Sequence, residues 1–126
     1  MSLTPPSPPA ATVLDPVALG RLRELDPTGQ AGVVRRVLST FDGSLSQILQ
    51  NLERARGSGN VDEIRRLAHT LKSSSASVGA LDLSSACARV EGLVRDQALQ
   101  PLPDALAVLM REGQAALQAV RRQLDS

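Results

Sequence analysis

Apolar residues recur at three- and four-residue intervals along most of the chain, the spacing that lays one face of an α-helix against a core. Over residues 30–56 the series Val33, Val34, Val37, Leu38, Phe41, Leu45, Ile48, Leu49 and Leu52 predicts a long amphipathic helix, stopped by Gly57-Ser58-Gly59. Asn60 followed three residues later by Glu63 has the form of a capping box, opening a helix that should finish at Gly79. Residues 81–98 place Leu83, Ala86, Cys87, Val90, Leu93 and Val94 on one face, and Pro101-Leu102-Pro103 breaks that helix. Residues 103–124 turn Leu106, Leu109, Met110, Leu117, Val120 and Leu124 inward. Ahead of these, Asp15-Pro16 reads as a cap with proline at the first helical position. Val17, Leu19, Leu22 and Leu25 then predict a short helix that ends before Pro27 and lies across the bundle end.

Short connections between long helices make neighbours antiparallel. The expected fold is therefore all-α: an antiparallel four-helix bundle with an additional short N-terminal helix, spanning residues 13–126. Residues 1–12, with Pro5, Pro6, Pro8 and Pro9, are expected to form a disordered tail or linker.

Composition narrows the partners. A chain of 126 residues, 42% hydrophobic and 21% charged, suits one domain, and its only aromatic residue, Phe41, implies an aliphatic core. The net charge of +1, with acids and bases interleaved, gives no reason to expect nucleic acid. A single cysteine, Cys87, cannot form an internal disulfide and reads as a small core residue. Together with one histidine it supplies too few ligands for a metal site. With neither a secretory signal nor an apolar run of about 18 residues, no direct membrane contact is expected and a cytoplasmic location fits.

The only histidine, His69, carries the candidate chemistry. On a helical wheel Ile64, Leu67, Ala68, Leu71, Ser75 and Val78 share one stripe, and His69 falls roughly 150° from its centre, toward solvent. Arg65, Arg66, Lys72 and Ser73 lie three or four residues away, so the ring is expected among cations and small side chains. A lone surface histidine can be a metal ligand, a general base, a covalent nucleophile or a bystander. Metal binding is opposed by the neighbouring cations. Hydrolysis is opposed because Ser73 to Ser77 lie along a helix whose backbone donors are already used. A phosphoryl acceptor fits better: adjacent cations disfavour the imidazolium and leave a neutral ring nitrogen as nucleophile. On spacing and charge alone, that reading and the bystander both stand.

The string Ala68-His69-Thr70-Leu71-Lys72, followed by small residues and Gly79, resembles the histidine-containing phosphotransfer (HPt) domain of bacterial two-component phosphorelays, as does the order of helices. The resemblance covers roughly residues 14–124 and extends to Leu83, Cys87 and Glu91. It implies that His69 accepts a phosphoryl group on Nε2 from a receiver-domain aspartate and passes it to another receiver. It further implies that Lys72 steadies the phosphoryl group, that Glu91 accepts from Nδ1–H to fix the tautomer, and that Arg95 adds a further cation. Arg65, Arg66, Ser73 and Ala76 fall on the surface a partner would approach. Ser73 departs from the family pattern, which has glycine after the lysine, and Glu91 places a carboxylate where glutamine also occurs.

The implied protein is a relay intermediate without kinase activity of its own, binding no cofactor and expected to be a monomer. The partner receiver supplies magnesium, and a hybrid sensor kinase is a further candidate partner. Two other readings remain: a helical adaptor that binds without phosphorylation, and the dimerising helical domain of a histidine kinase. Thr70 disfavours the latter, because such domains carry an acidic residue after the histidine.

Overall fold

The helices begin and end where the sequence offers partners for their orphan backbone groups. The structure is a computed structural model that describes residues 14–29 and 32–125, so the proline-rich segment expected to be a tail lies outside the described residues. Its helices are α1 (Pro16–Glu24), α2 (Val33–Ser58), α3 (Val61–Ser77), α4 (Leu81–Arg95) and α5 (Leu102–Asp125). Asp15 Oδ1 accepts from the Val17 amide at 3.3 Å, with Pro16 at the first helical position. Asp26 Oδ2 accepts from the Val33 amide at the same distance and so caps α2 from seven residues upstream.

Gly59, left-handed at φ 67°, closes α2 as the glycine run predicts. At α3 only half of the expected capping box forms. Asn60 Oδ1 accepts from the Glu63 amide at 3.2 Å, but the Asn60 amide goes to the Ala55 carbonyl and the Glu63 carboxylate turns to Arg66. Helix α4 stops at Arg95, short of the predicted 98, because Gln97 adopts φ 58° and the Ala98 amide closes onto the Leu93 carbonyl at 2.9 Å.

Helices α2, α3, α4 and α5 form a ring in which each packs on the next and α5 closes against α2, the four-helix bundle that the spacing predicts. Leu38, Leu45, Leu52, Leu71, Leu83, Leu106 and Leu109 are among its most buried side chains, each contributing about 1.5–3 kcal/mol by removal from water. Val33, Val34, Val37, Leu93, Met110 and Leu124, expected inward, are only half-buried at the margins of this core. In α1 Leu19 is buried while Val17 faces solvent, as does Leu25 at its C-cap. Gly113 explains itself by packing: a Cβ there would lie 2.6 Å from Leu49 Cδ2, so the missing side chain lets α5 approach α2.

The turn between α3 and α4 anchors α1. Gly79 adopts φ 81°, and a Cβ on it would meet the Asp15 backbone nitrogen at 2.7 Å. That nitrogen donates to the Gly79 carbonyl at 2.7 Å. Both the left-handed backbone and the close approach call for glycine.

Candidate functional site

The α3 stripe is buried as its periodicity predicts, from Ile64 through Leu67, Ala68, Leu71 and Ser75 to Val78. His69, on the opposite side, keeps 62% of its side chain in solvent. Helix α4 lies close alongside, where Ser84 Oγ donates to the Lys72 carbonyl at 2.9 Å. This packing brings Glu91 of α4 beside the histidine. Its side chain is only 14% exposed, and the carboxylate lies with Oε2 2.5 Å from His69 Nδ1, while Oε1 accepts from Lys72 Nζ at 2.6 Å.

These contacts fix the chemistry of the ring. An ionised carboxylate can only accept, so the hydrogen of this contact sits on Nδ1, and the neutral tautomer compatible with it has its lone pair on Nε2. Nε2 has no hydrogen-bond partner among the described residues. The hydrogen bond from Lys72 holds the Glu91 carboxyl below the usual carboxylate range. Burial opposes that shift, and the His69 hydrogen bond reinforces it.

His69, Lys72 and Glu91 thus converge, but the expected ring of cations does not. The charged group touching the imidazole is Glu91, and Arg66 is drawn away to Glu63 one turn back. The contact with Glu91, rather than the neighbouring cations, is what distinguishes the two ring nitrogens. Arg65 is exposed on the turn preceding His69. Arg95 is not joined to the cluster: its Nε donates to Asp96 Oδ1 at 3.2 Å, so it neither meets the ring nor takes the four-residue pairing with Glu91 that spacing allows. Ser73 and Ala76 are exposed on the turns after His69, presenting little bulk.

Two features of the site have no sequence signal. The Lys72–Glu91 ion pair spans 19 residues and depends on how α3 and α4 are set against each other, as does the Ser84 contact. Cys87, one turn before Glu91 on α4, is fully buried, and burial with help from the Glu91 charge pushes its thiol up to about 12. It remains an inert thiol. Among the described residues no three His, Cys, Asp or Glu side chains are grouped to hold a metal ion, and no helix is long and apolar enough to cross a membrane.

Comparisons with known proteins point to one family and one fold. The Hpt domain family model matches residues 36–125, which take in nearly all of α2 and the whole of α3, α4 and α5. A search of curated proteins finds no match. Among solved structures, histidine-containing phosphotransfer protein B from Pseudomonas aeruginosa PAO1 aligns with a TM-score of 0.79 at 25% identity, over 94% of this chain and 97% of that one. A rice protein described as a histidine-containing phosphotransfer protein shares the fold, with a TM-score of 0.64 at 24% identity over 90% of this chain and 85% of the other. With the family model covering most of the bundle and a single histidine exposed on it, the chain belongs to the Hpt domain family and has the histidine phosphotransfer role of a phosphorelay component.

Proposed function

We propose that His69 accepts a phosphoryl group from a receiver-domain aspartate and passes it to a second receiver. The observation that carries this reading is the 2.5 Å contact of Glu91 Oε2 with Nδ1 of an exposed ring, which leaves Nε2 as the nucleophile. The lone pair of Nε2 forms the N–P bond as the P–O bond of the aspartyl phosphate breaks, and that bond's electron pair leaves with the aspartate carboxylate. Nδ1 keeps its proton, and the positive charge gained by the ring faces Glu91. Onward transfer reverses these changes, so no proton need enter or leave.

Phosphoryl transfer rests on in-line positioning and charge stabilisation. Lys72 is the cation assigned to the phosphoryl oxygens, and the receiver brings magnesium and its acidic pocket. Ser73 and Ala76 leave room for the partner, and Arg65 and Arg66 flank the approach. Arg95, turned to Asp96, has no part in this account. The protein acts as a cytoplasmic monomer without kinase activity, served by separate receivers or by those of a hybrid sensor kinase.

Incubation with phosphorylated receiver domains should give acid-labile, alkali-stable label on the wild type and none on His69→Gln, with unchanged helix content. Label persisting on the variant would refute His69 as acceptor. Binding of receivers without label would favour the adaptor.

A further inference from the structure

Glu91 spends one oxygen on the His69 ring and the other on Lys72, so the two groups assigned to the reaction share one carboxylate. In this state the Lys72 ammonium, on a side chain 36% exposed, is already committed to an anion. Arrival of a phosphoryl group on Nε2 changes the charges around it. The ring becomes cationic while retaining its Nδ1 proton, and the phosphoryl group carries close to two negative charges. Lys72 then stands between two anions, one of which has gained a cationic ring as partner.

Its position allows it to change allegiance. Lys72 is three residues beyond His69 on α3, and Cβ atoms at that spacing are about 5–6 Å apart, within reach of a lysine side chain without backbone movement. Of the other cations near this face, Arg66 is engaged by Glu63 and Arg95 by Asp96, while Arg65 is exposed on the turn before His69.

We propose that phosphorylation drives an exchange of ion pairs: Lys72 leaves Glu91 for the phosphoryl group, and Glu91 becomes the counter-ion of the cationic phosphohistidine ring. This rests on His69 being the acceptor and adds a resting state in which Glu91 holds Lys72 in reserve. After the exchange both anions still have a cation, and the reverse exchange accompanies phosphoryl loss. Glu91 is then a positioning residue for the lysine as well as for the ring, a task an amide at that position performs less strongly.

The test is to load the full chain with phosphoramidate and follow the Lys72 Nζ shift by NMR, with 31P spectra reporting loading. In the wild type the Nζ shift should move on loading. In Glu91→Gln the resting Nζ should already resemble a solvated lysine, and the loaded shifts of the two proteins should agree. A wild-type Nζ shift that stays put while 31P shows loaded His69 would overturn the exchange and leave the acceptor reading intact. Failure to load His69 would overturn both.

A double-mutant cycle gives a second readout. Glu91→Gln should lower the loading equilibrium at least about threefold more in the Lys72→Ala background than with Lys72 present, since only with the lysine is the lost ring partner offset by a released cation. Equal effects in both backgrounds would contradict the competition.

Discussion

Polar contacts tie neighbouring helices on two faces of the bundle, and they differ in what they leave over. On one face Arg121 of α5 reaches Asp42 of α2, Nε to Oδ2 at 3.0 Å, with Ser46 alongside. That pair is closed, because the guanidinium meets both carboxylate oxygens. On the other face Glu91 of α4 serves two donors of α3, and one is an imidazole whose second nitrogen meets no partner among the described residues. A closed, exposed ion pair adds little beyond helix register. An open one, sheltered on the carboxylate side and exposed on the ring side, holds a nucleophile ready.

The contrast breaks most sharply at Ser73. Replacement by tryptophan puts bulk one turn from His69 and should abolish transfer from receivers while helix content is unchanged; normal transfer would remove the close-approach argument. Glu91→Ala, which frees both the ring and Lys72, should slow transfer by up to about 100-fold through lost positioning, measured as the rate of label appearance. Lys72→Ala should also slow transfer, with little loss of stability because the side chain is substantially exposed; a collapsed fold would refute that placement.

Acid sensitivity should also follow Glu91. A carboxyl whose folded pKa is lowered stabilises the fold above its unfolded pKa and loses that contribution as pH falls through the folded value. The wild type should therefore lose more stability than Glu91→Gln as pH falls below the unfolded glutamate pKa of about 4.3, as read from denaturant midpoints. Smallest of all, Arg121→Ala should leave transfer unchanged and barely move the thermal midpoint. A transfer defect there would erase the distinction between the two faces.

Legibility in the sequence follows the range of the interaction. The α3 stripe and the exposure of His69 were readable because a helix repeats every 3.6 residues whatever it packs against. The Asp15 and Asn60 caps were readable because each partner lies within three residues. The Glu63–Arg66 pair has the same local spacing and competes with the imidazole for Arg66. What could not be read depends on juxtaposition across the fold. The Asp15–Gly79 contact, the Lys72–Glu91 pair and the Asp42–Arg121 pair join residues 64, 19 and 79 positions apart. The C-terminus of α4 carries no glycine signal, because the left-handed residue that follows it is Gln97. Glu91 at the imidazole was implied by family resemblance; periodicity alone left it equally suited to Arg95.

The central claim is that Glu91 commits Nδ1 and leaves Nε2 to react. It is tested most directly by 31P–15N correlation on the phosphorylated protein with ring-labelled histidine. The account predicts phosphorus bonded to Nε2, with Nδ1 still protonated beside the carboxylate. Phosphorus on Nδ1 would contradict it.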